Sequence, residues 1–486
     1  VPATLGTSTT AARRQRIAHG DWQTPRALAD AVVRIVRRER EPVRAVLEPT
    51  CGTGTFLAAA ARAFPDARLV GFDRSAEYVE AARRELGSRA VELGVSDFFE
   101  HDWGRTLGAL PEPFLLLGNP PWVTSSTLGA LSSANLPAKS NYQRHAGLDA
   151  LTGKANFDIS EWMLSRLLEA ARGREFTLAM LCKAAVARRI MRASAEHGSA
   201  LEGSVYGVDA RVHFSAAVAA VLLVLRSRPG VARSRGQARF DVYADLESRE
   251  PTRVMGVVDG RAFSDLDAQH ATARLEGPSE LTWRSGVKHD LARVMELTER
   301  GGVLVNGLGE TVAIERELVF PLRKSSELAR APSERRFVLL TQARLGDDTR
   351  AIRERAPATW RYLERHRAAF EARKSRIYRG QAPFAMFGVG AYTFAPYKVA
   401  ISALHKRLAF HALGPEDGRP VVLDDTAYFL PCESQAEAER LERALGTPHA
   451  RAFLEARIFW DDMRPINKGV LGALCLERLL AEVERV

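Results

Sequence analysis

Ala45-Val46-Leu47-Glu48-Pro49-Thr50-Cys51-Gly52-Thr53-Gly54-Thr55-Phe56 decides the fold. A short apolar run is followed by a turn with two glycines and then by the alanine-rich stretch Leu57 to Ala63. That order reads as strand, glycine turn, helix. Glycines at such a turn let backbone approach a ligand closely. A second apolar run, Leu69-Val70-Gly71-Phe72, ends in Asp73. An acidic side chain at the next strand end, about 20 residues beyond the glycine turn, is placed for ribose hydroxyls. The spacing is Gly-x-Gly-x-Phe, without the third glycine of the dinucleotide fingerprint. It favours a nucleoside ligand lacking a pyrophosphate over NAD.

Further along stands Phe114-Leu115-Leu116-Leu117-Gly118-Asn119-Pro120-Pro121-Trp122. The apolar run reads as a buried strand. Two prolines end it in a stiff, extended turn. Such a turn can aim the Asn119 side-chain oxygen and the Pro120 carbonyl at one point, with the flat face of Trp122 beside it. Two acceptors and an aromatic platform suit a planar base with an exocyclic amino group.

Between these motifs and beyond them, strand and helix patterns alternate to about Arg226. Expected strands are Ala45–Leu47, Leu69–Phe72, Ala90–Val95, Phe114–Leu117, Phe176–Leu181 and Ala217–Leu225. Helical patterns include Ala27–Val36, Ala76–Leu86 and Ile159–Arg172, with Thr24 as cap and Pro25 in the first turn of the earliest. The alternation predicts an α/β fold with a doubly wound, mostly parallel sheet, whose ligands bind beyond the carboxyl ends of the strands. Residues 229–282 read as a connecting region with short strands at Phe240–Tyr243 and Arg253–Val258. Residues 283–486 change texture to short strands, loops and basic aromatic clusters, read as a mixed α+β domain. Residues 1–12 read as a disordered N-terminus.

The motifs together resemble the gamma-class S-adenosylmethionine-dependent DNA adenine-N6 methyltransferases of restriction–modification systems. In that family a cofactor motif comes first, an Asn/Asp-Pro-Pro-aromatic motif next, and a target-recognition domain last. The resemblance implies a catalytic domain over residues 13–228 and a target-recognition domain over 283–486. It implies that Thr24, Glu48, Gly52, Gly54, Asp73, Asp97 and Phe98 hold S-adenosyl-L-methionine. Thr24 would meet the methionine carboxylate, Asp97 the adenine amino group and Phe98 the adenine ring. Thr24 also reads as a plain helix cap, and Glu48 as a residue that orients the loop. Asn119 and Pro120 would hold the target amine. Trp122 would stack on one face of a flipped-out base and Phe214 on the other. Asn156 and Asp158 read as caps of the following helix, and Lys183 as a candidate phosphate contact. RNA adenine, protein-glutamine and cytosine-N4 methylation share the Asn-Pro-Pro-aromatic motif and stay open as alternatives.

Length and composition set the remaining bounds. At 486 residues the chain suits two or three domains. A net charge of +10 suits a polyanionic partner, here double-stranded DNA. Lys288, Arg373, Lys374, Arg376, Arg379, Lys398, Lys406 and Arg407 lie in basic aromatic clusters and are the candidate DNA contacts. The four cysteines form no Cys-x-x-Cys pair, so neither a zinc site nor a disulfide framework is expected. Asp424-Asp425 and Asp461-Asp462 lack the second acid and lysine of a nuclease constellation, and no metal is expected. No apolar run suits a membrane span. The expectation is a cytoplasmic bacterial monomer, paired through the resemblance with a separately encoded restriction endonuclease.

Overall fold

The computed structural model describes residues 23–38, 42–123, 158–196, 201–229, 236–330 and 334–485. The N-terminal stretch 1–12 and Asn156 lie outside them. The chain divides into two compact units, Val1–Asp267 and Ala268–Val486.

The first unit is built on a ten-stranded sheet of order β10-β9-β8-β6-β7-β5-β4-β1-β2-β3. β1 (Ala45–Glu48), β2 (Arg68–Asp73), β3 (Val91–Val95), β4 (Phe114–Gly118) and β5 (Phe176–Lys183) are mutually parallel. β1 and β4 are buried along their whole length, as near-continuous apolar strands covered on both faces must be. β6 (Leu201–Val208) and β7 (Ala220–Ser227) follow, with β7 antiparallel to both β5 and β6. Helices pack their apolar stripes on the sheet. Arg26–Arg38 buries Leu28, Val32, Val33, Ile35 and Val36, and Thr55–Ala63 buries Phe56 to Ala60. Ser75 caps Ala76–Leu86 by accepting from the Tyr78 N–H, and Asp158 caps Ile159–Ala170 by accepting from Ser160.

The stretch expected to connect the domains behaves differently. β8 (Ala238–Tyr243) pairs parallel with β6, and β9 (Arg253–Val258) and β10 (Arg261–Phe263) continue antiparallel outward. These strands extend the first sheet because its edge satisfies their backbone groups, while the helix Ala184–Glu196 packs against them and Phe240, Val242, Val254 and Val257 are buried. The sheet thus takes up most of the expected connector.

The second unit is mixed α+β. A four-stranded sheet orders β11 (Arg284–Ser285), β20 (Ala427–Cys432), β17 (Tyr397–Ser402) and β18 (Phe410–Leu413). Helices Gln435–Leu445, Pro448–Glu455 and Leu476–Val483 share its core, through Leu441, Leu445, Phe453 and Leu479. A six-stranded sheet orders β14 (Thr311–Val312), β13 (Val303–Asn306), β12 (Glu296–Arg300), β16 (Arg336–Leu339), β15 (Val319–Arg323) and β19 (Val422–Leu423). All four cysteines are buried thiols. Among the described residues no helix is long and apolar enough to cross a membrane, and no cluster of acids, histidines and cysteines is arranged to hold a metal.

Candidate active site

Strand order in the first sheet reverses between β1 and β4, and the carboxyl ends of those neighbours open a crevice. The glycine turn leaves β1 there and the Asn119–Trp122 turn leaves β4 there. Adjacent parallel strands therefore bring together motifs 67 residues apart (119 − 52) in the chain.

The glycine turn is held by the end of β2. The Cys51 N–H donates to the Phe72 carbonyl (2.7 Å) and the Gly52 N–H donates to Asp73 Oδ2 (2.9 Å). The other Asp73 oxygen accepts from the Ser75 N–H at 2.9 Å. Gly52 has φ 49°, and a Cβ there would lie 2.8 Å from Gln23 Oε1. Gly54, at φ 83°, caps the helix Thr55–Ala63 from a left-handed conformation. Glu48 is 3% exposed and accepts from the Leu57 N–H at 3.2 Å, so its carboxylate fixes the start of that helix. Burial pushes the Glu48 carboxyl well above its ordinary range, the Leu57 N–H opposes this, and the Asp73 charge adds to it.

Asp97 follows β3 and accepts from the Phe99 N–H at 2.9 Å, which closes a tight turn. Phe98 is buried, packing on Trp103 at 4.6 Å and Trp162 at 6.0 Å between ring centroids. Its neighbour Phe99 is the more exposed ring. His101 bridges Ser96 Oγ (2.8 Å) and Thr106 Oγ1 (2.7 Å) and packs on Phe72.

Across the crevice, Asn119 Nδ2 donates to Thr24 Oγ1 at 3.4 Å. Gln23, which no sequence motif singles out, accepts through Oε1 from the Thr53 hydroxyl (3.2 Å) and N–H (3.4 Å). No spacing rule marks Gln23; only its place beside Thr24 hints at it. Trp122 is buried and donates from Nε1 to the Leu181 carbonyl at 3.4 Å.

Trp122 and Phe214 do meet, but not as the two parallel faces of a slot. Their centroids are 5.1 Å apart and their planes cross at 74°. Both rings are buried in the core of the first unit, and a base cannot lie between them in this arrangement. Phe214 ends a short helix capped by Asp209, which fixes the ring's approach. Lys183 is paired with Asp158 at 2.7 Å, so the expected phosphate contact is engaged in an internal ion pair.

The eight basic candidates of the second unit part company. Lys398 is 1% exposed, and its Nζ donates to the Ala395 carbonyl at 2.6 Å over the Phe429 ring. It is no surface contact, because β17 turns it into the core, where burial pushes its ammonium down to about 8. Arg373 is half-buried and donates to the carbonyls of Ala385 (2.7 Å) and His289 (3.2 Å), with its guanidinium over the Tyr378 ring. It fastens a loop. Lys288 pairs with Asp290 at 2.6 Å and Asp425 at 3.4 Å. Lys374, Arg376 and Arg379 are exposed beside the fastened Arg373 and Tyr378, and Lys406 and Arg407 are exposed in the turn between β17 and β18. Trp283, a few residues before Lys288, is buried against Phe410. Arg464, half-exposed, lies 3.9 Å from the same Asp425 carboxylate.

Residues 46–109 match the family model described as a methyltransferase domain. The type II methyltransferase M.NspV of Nostoc sp. (strain ATCC 29411 / PCC 7524) is 37% identical over 481 residues, covering 97% of this chain and 98% of that protein. The type II methyltransferase M.CvrRI of Paramecium bursaria Chlorella virus XZ-6E is 31% identical over 115 residues, 24% of this chain and 27% of that one. Among solved structures, the type IIL restriction-modification enzyme MmeI in complex with DNA has a TM-score of 0.49 at 10% identity, covering 96% of this chain and 66% of that one. With over a third of positions identical to M.NspV along nearly the whole of both chains, the protein belongs to the type II methyltransferases.

Proposed function

We propose that the protein transfers a methyl group from S-adenosyl-L-methionine to N6 of an adenine flipped out of duplex DNA, as the modification enzyme of a bacterial restriction–modification system. The observation that supports this most is the Asn119–Trp122 turn at the carboxyl end of β4, beside the glycine turn of β1. S-adenosylmethionine supplies a methyl group activated on a sulfonium. The residues present fit such a group: a turn without side chains at Gly52 and Gly54, and a carboxylate, Asp73, at the end of β2.

The adenine amine is a poor nucleophile because its lone pair is delocalised into the ring. Asn119 Oδ1 and the Pro120 carbonyl accept its two N–H bonds and favour a more tetrahedral nitrogen. Their hold strengthens as positive charge develops on that nitrogen, so the gain falls in the transition state. Trp122 gives the base a stacking surface. A target amine inside a duplex is out of reach, so the base must leave the stack. The exposed Lys374, Arg376, Arg379, Lys406 and Arg407 then serve the phosphate backbone.

The test is sequencing of DNA from a methylation-free host that expresses this chain, by a method that reads modified adenine and cytosine. N6-methyladenine at one defined motif is expected. N4-methylcytosine would move the target to the other base. Unmodified DNA, with purified protein still binding S-adenosylmethionine, would overturn the DNA reading in favour of RNA or protein.

A further inference from the structure

We propose that Arg464 reads a guanine edge in the target sequence and that Asp425 is the positioning residue that aims it. The inference rests on the proposed methylation of duplex DNA. Four segments of the second unit meet at the turn Asp424–Thr426, between β19 and β20. The Val287 N–H donates to the Leu423 carbonyl at 2.7 Å, which lays Val287 and Lys288 beside the turn. The Tyr378 hydroxyl donates to the Lys288 carbonyl at 3.3 Å and brings in the turn Arg376–Arg379. The Ala403 N–H, where the chain leaves β17 for β18, donates to the Thr426 carbonyl at 2.8 Å. Arg464 Nη1 donates to the Asp425 carbonyl at 3.5 Å, and its Nη2 lies 3.9 Å from the Asp425 carboxylate. Segments carrying the exposed Arg376, Arg379, Lys406 and Arg407 therefore gather round one turn together with Arg464.

The cations of this surface differ in how firmly they are aimed. A phosphate contact tolerates a mobile side chain, because charge acts without a fixed direction. Reading a base edge needs a fork held in place. Lys288 is closed between Asp290 at 2.6 Å and Asp425 at 3.4 Å, and the Asp290 carboxylate above all holds its ammonium above the ordinary value. Lys288 thus anchors Asp425, and Asp425 in turn faces Arg464. The backbone under Arg464 is anchored too. Met463 before it is 90% exposed, whereas Pro465 and Ile466 directly after it are buried. A short, fixed base therefore carries a half-exposed guanidinium whose direction is set by a carboxylate.

A guanidinium has five N–H donors in a planar fork, more than one carboxylate takes. Two parallel donors of that fork match O6 and N7 of guanine in the major groove. Pairing with Asp425 also offsets part of the charge, so Arg464 adds less to sequence-independent attraction than Arg376 or Lys406 does. Aim and partial neutralisation together suit a residue that specifies rather than one that merely holds.

The experiment measures kcat/KM of the full chain on a duplex carrying the methylated motif and on duplexes with each base pair of that motif changed in turn. Arg464→Ala should lower discrimination at one G·C pair by about tenfold or more and leave the other pairs discriminated as before. Asp425→Ala should weaken discrimination at the same pair, and Asp425→Asn, which keeps an accepting oxygen, should retain more of it. Arg379→Ala and Lys406→Ala should lower kcat/KM on every duplex alike. An Arg464→Ala protein that loses activity evenly on all duplexes, or keeps every ratio, overturns the proposal. So does a methylated motif built of A·T pairs alone. Relaxation of different pairs by the Arg464 and Asp425 variants overturns the positioning role. A wild type that methylates no DNA sinks the underlying reading, and this inference with it.

Discussion

The two units treat the residues their sequences advertise in opposite ways. In the first, Gly52, Gly54, Asp73, Asn119 and Trp122 come from three strand ends and gather in one crevice. In the second, eight basic residues from a few dense clusters scatter into a buried ammonium, a loop fastener, an internal ion pair and five exposed cations. A doubly wound sheet puts every strand's carboxyl end on one edge, so a motif at a strand end is placed by the topology alone. A basic cluster has no such frame. Along β17 the side chains alternate between two faces, and Lys398 falls on the face that packs against Phe429.

The largest effect expected from breaking this contrast is at Asn119. Asn119→Ala should lower turnover by roughly 10²–10³-fold, the scale of losing one transition-state acceptor, with cofactor affinity nearly unchanged. Single-turnover kinetics beside calorimetric cofactor binding checks it. Retained turnover would remove the assigned role.

Next come the cations of the second unit. Arg376→Ala and Arg379→Ala should each lower the slope of log affinity against log salt by about 1, with the fold intact. Arg373→Ala should instead loosen its loop, since it removes the side-chain donor from the carbonyls of Phe370, His289 and Ala385 and the cation from the Tyr378 ring. Thermal melts and salt titrations of DNA binding separate the two kinds of arginine. Equal behaviour of all three would erase the distinction drawn from burial.

Lys398→Met tests the buried end of the same series. The folded ammonium titrates at about 8, below its ordinary 10.5, so keeping it charged costs the fold below that pH. The variant should gain on the order of 1–3 kcal/mol at pH 7, and the gain should shrink as pH rises from 8 to 10.5. Denaturant melts at several pH values measure both. Weaker DNA binding by this variant at unchanged stability would return Lys398 to the surface set.

The smallest effects are in pH dependence, and they should have opposite signs in the two units. Glu48 has a raised folded pKa, so its stabilising contribution is present below about 4.5 and is lost as pH rises through the folded value. His289 is buried and lowered to about 4, so its contribution is present above 6.5 and is lost as pH falls toward 4. Its Nδ1 already accepts from the Leu291 N–H, which a protonated ring cannot allow. Hydrogen exchange resolved by residue should show the second unit loosening below pH 6.5, and His289→Gln should remove that slope. Glu48→Gln should flatten the opposite slope in the first unit. Slopes of the same sign in both units would contradict the burial argument.

Some features escape the sequence for identifiable reasons. β6 leaves little trace because Leu201–Val208 carries Gly203 and Gly207, which weaken a strand pattern. In the sheet those glycines are required: a Cβ at Gly203 would lie 2.2 Å from the Phe240 ring, and one at Gly207 would lie 2.1 Å from the Ala244 carbonyl. Arg464 lies outside the basic aromatic clusters, and its tie to Asp425 exists only once the chain has folded.

By itself the sequence determined the five parallel strands of the first sheet, the glycine turn, Asp73 at a strand end and the proline-stiffened turn after β4. These are local consequences of side-chain period, glycine freedom and proline restriction, and they need only neighbours in the chain. Only the tertiary structure decided that Trp122 and Phe214 cross at 74°, that Thr24 meets Asn119, and that Lys398 is buried while Arg376 is exposed. Each of those depends on how distant elements pack, and a contact across 95 residues leaves no trace in local pattern.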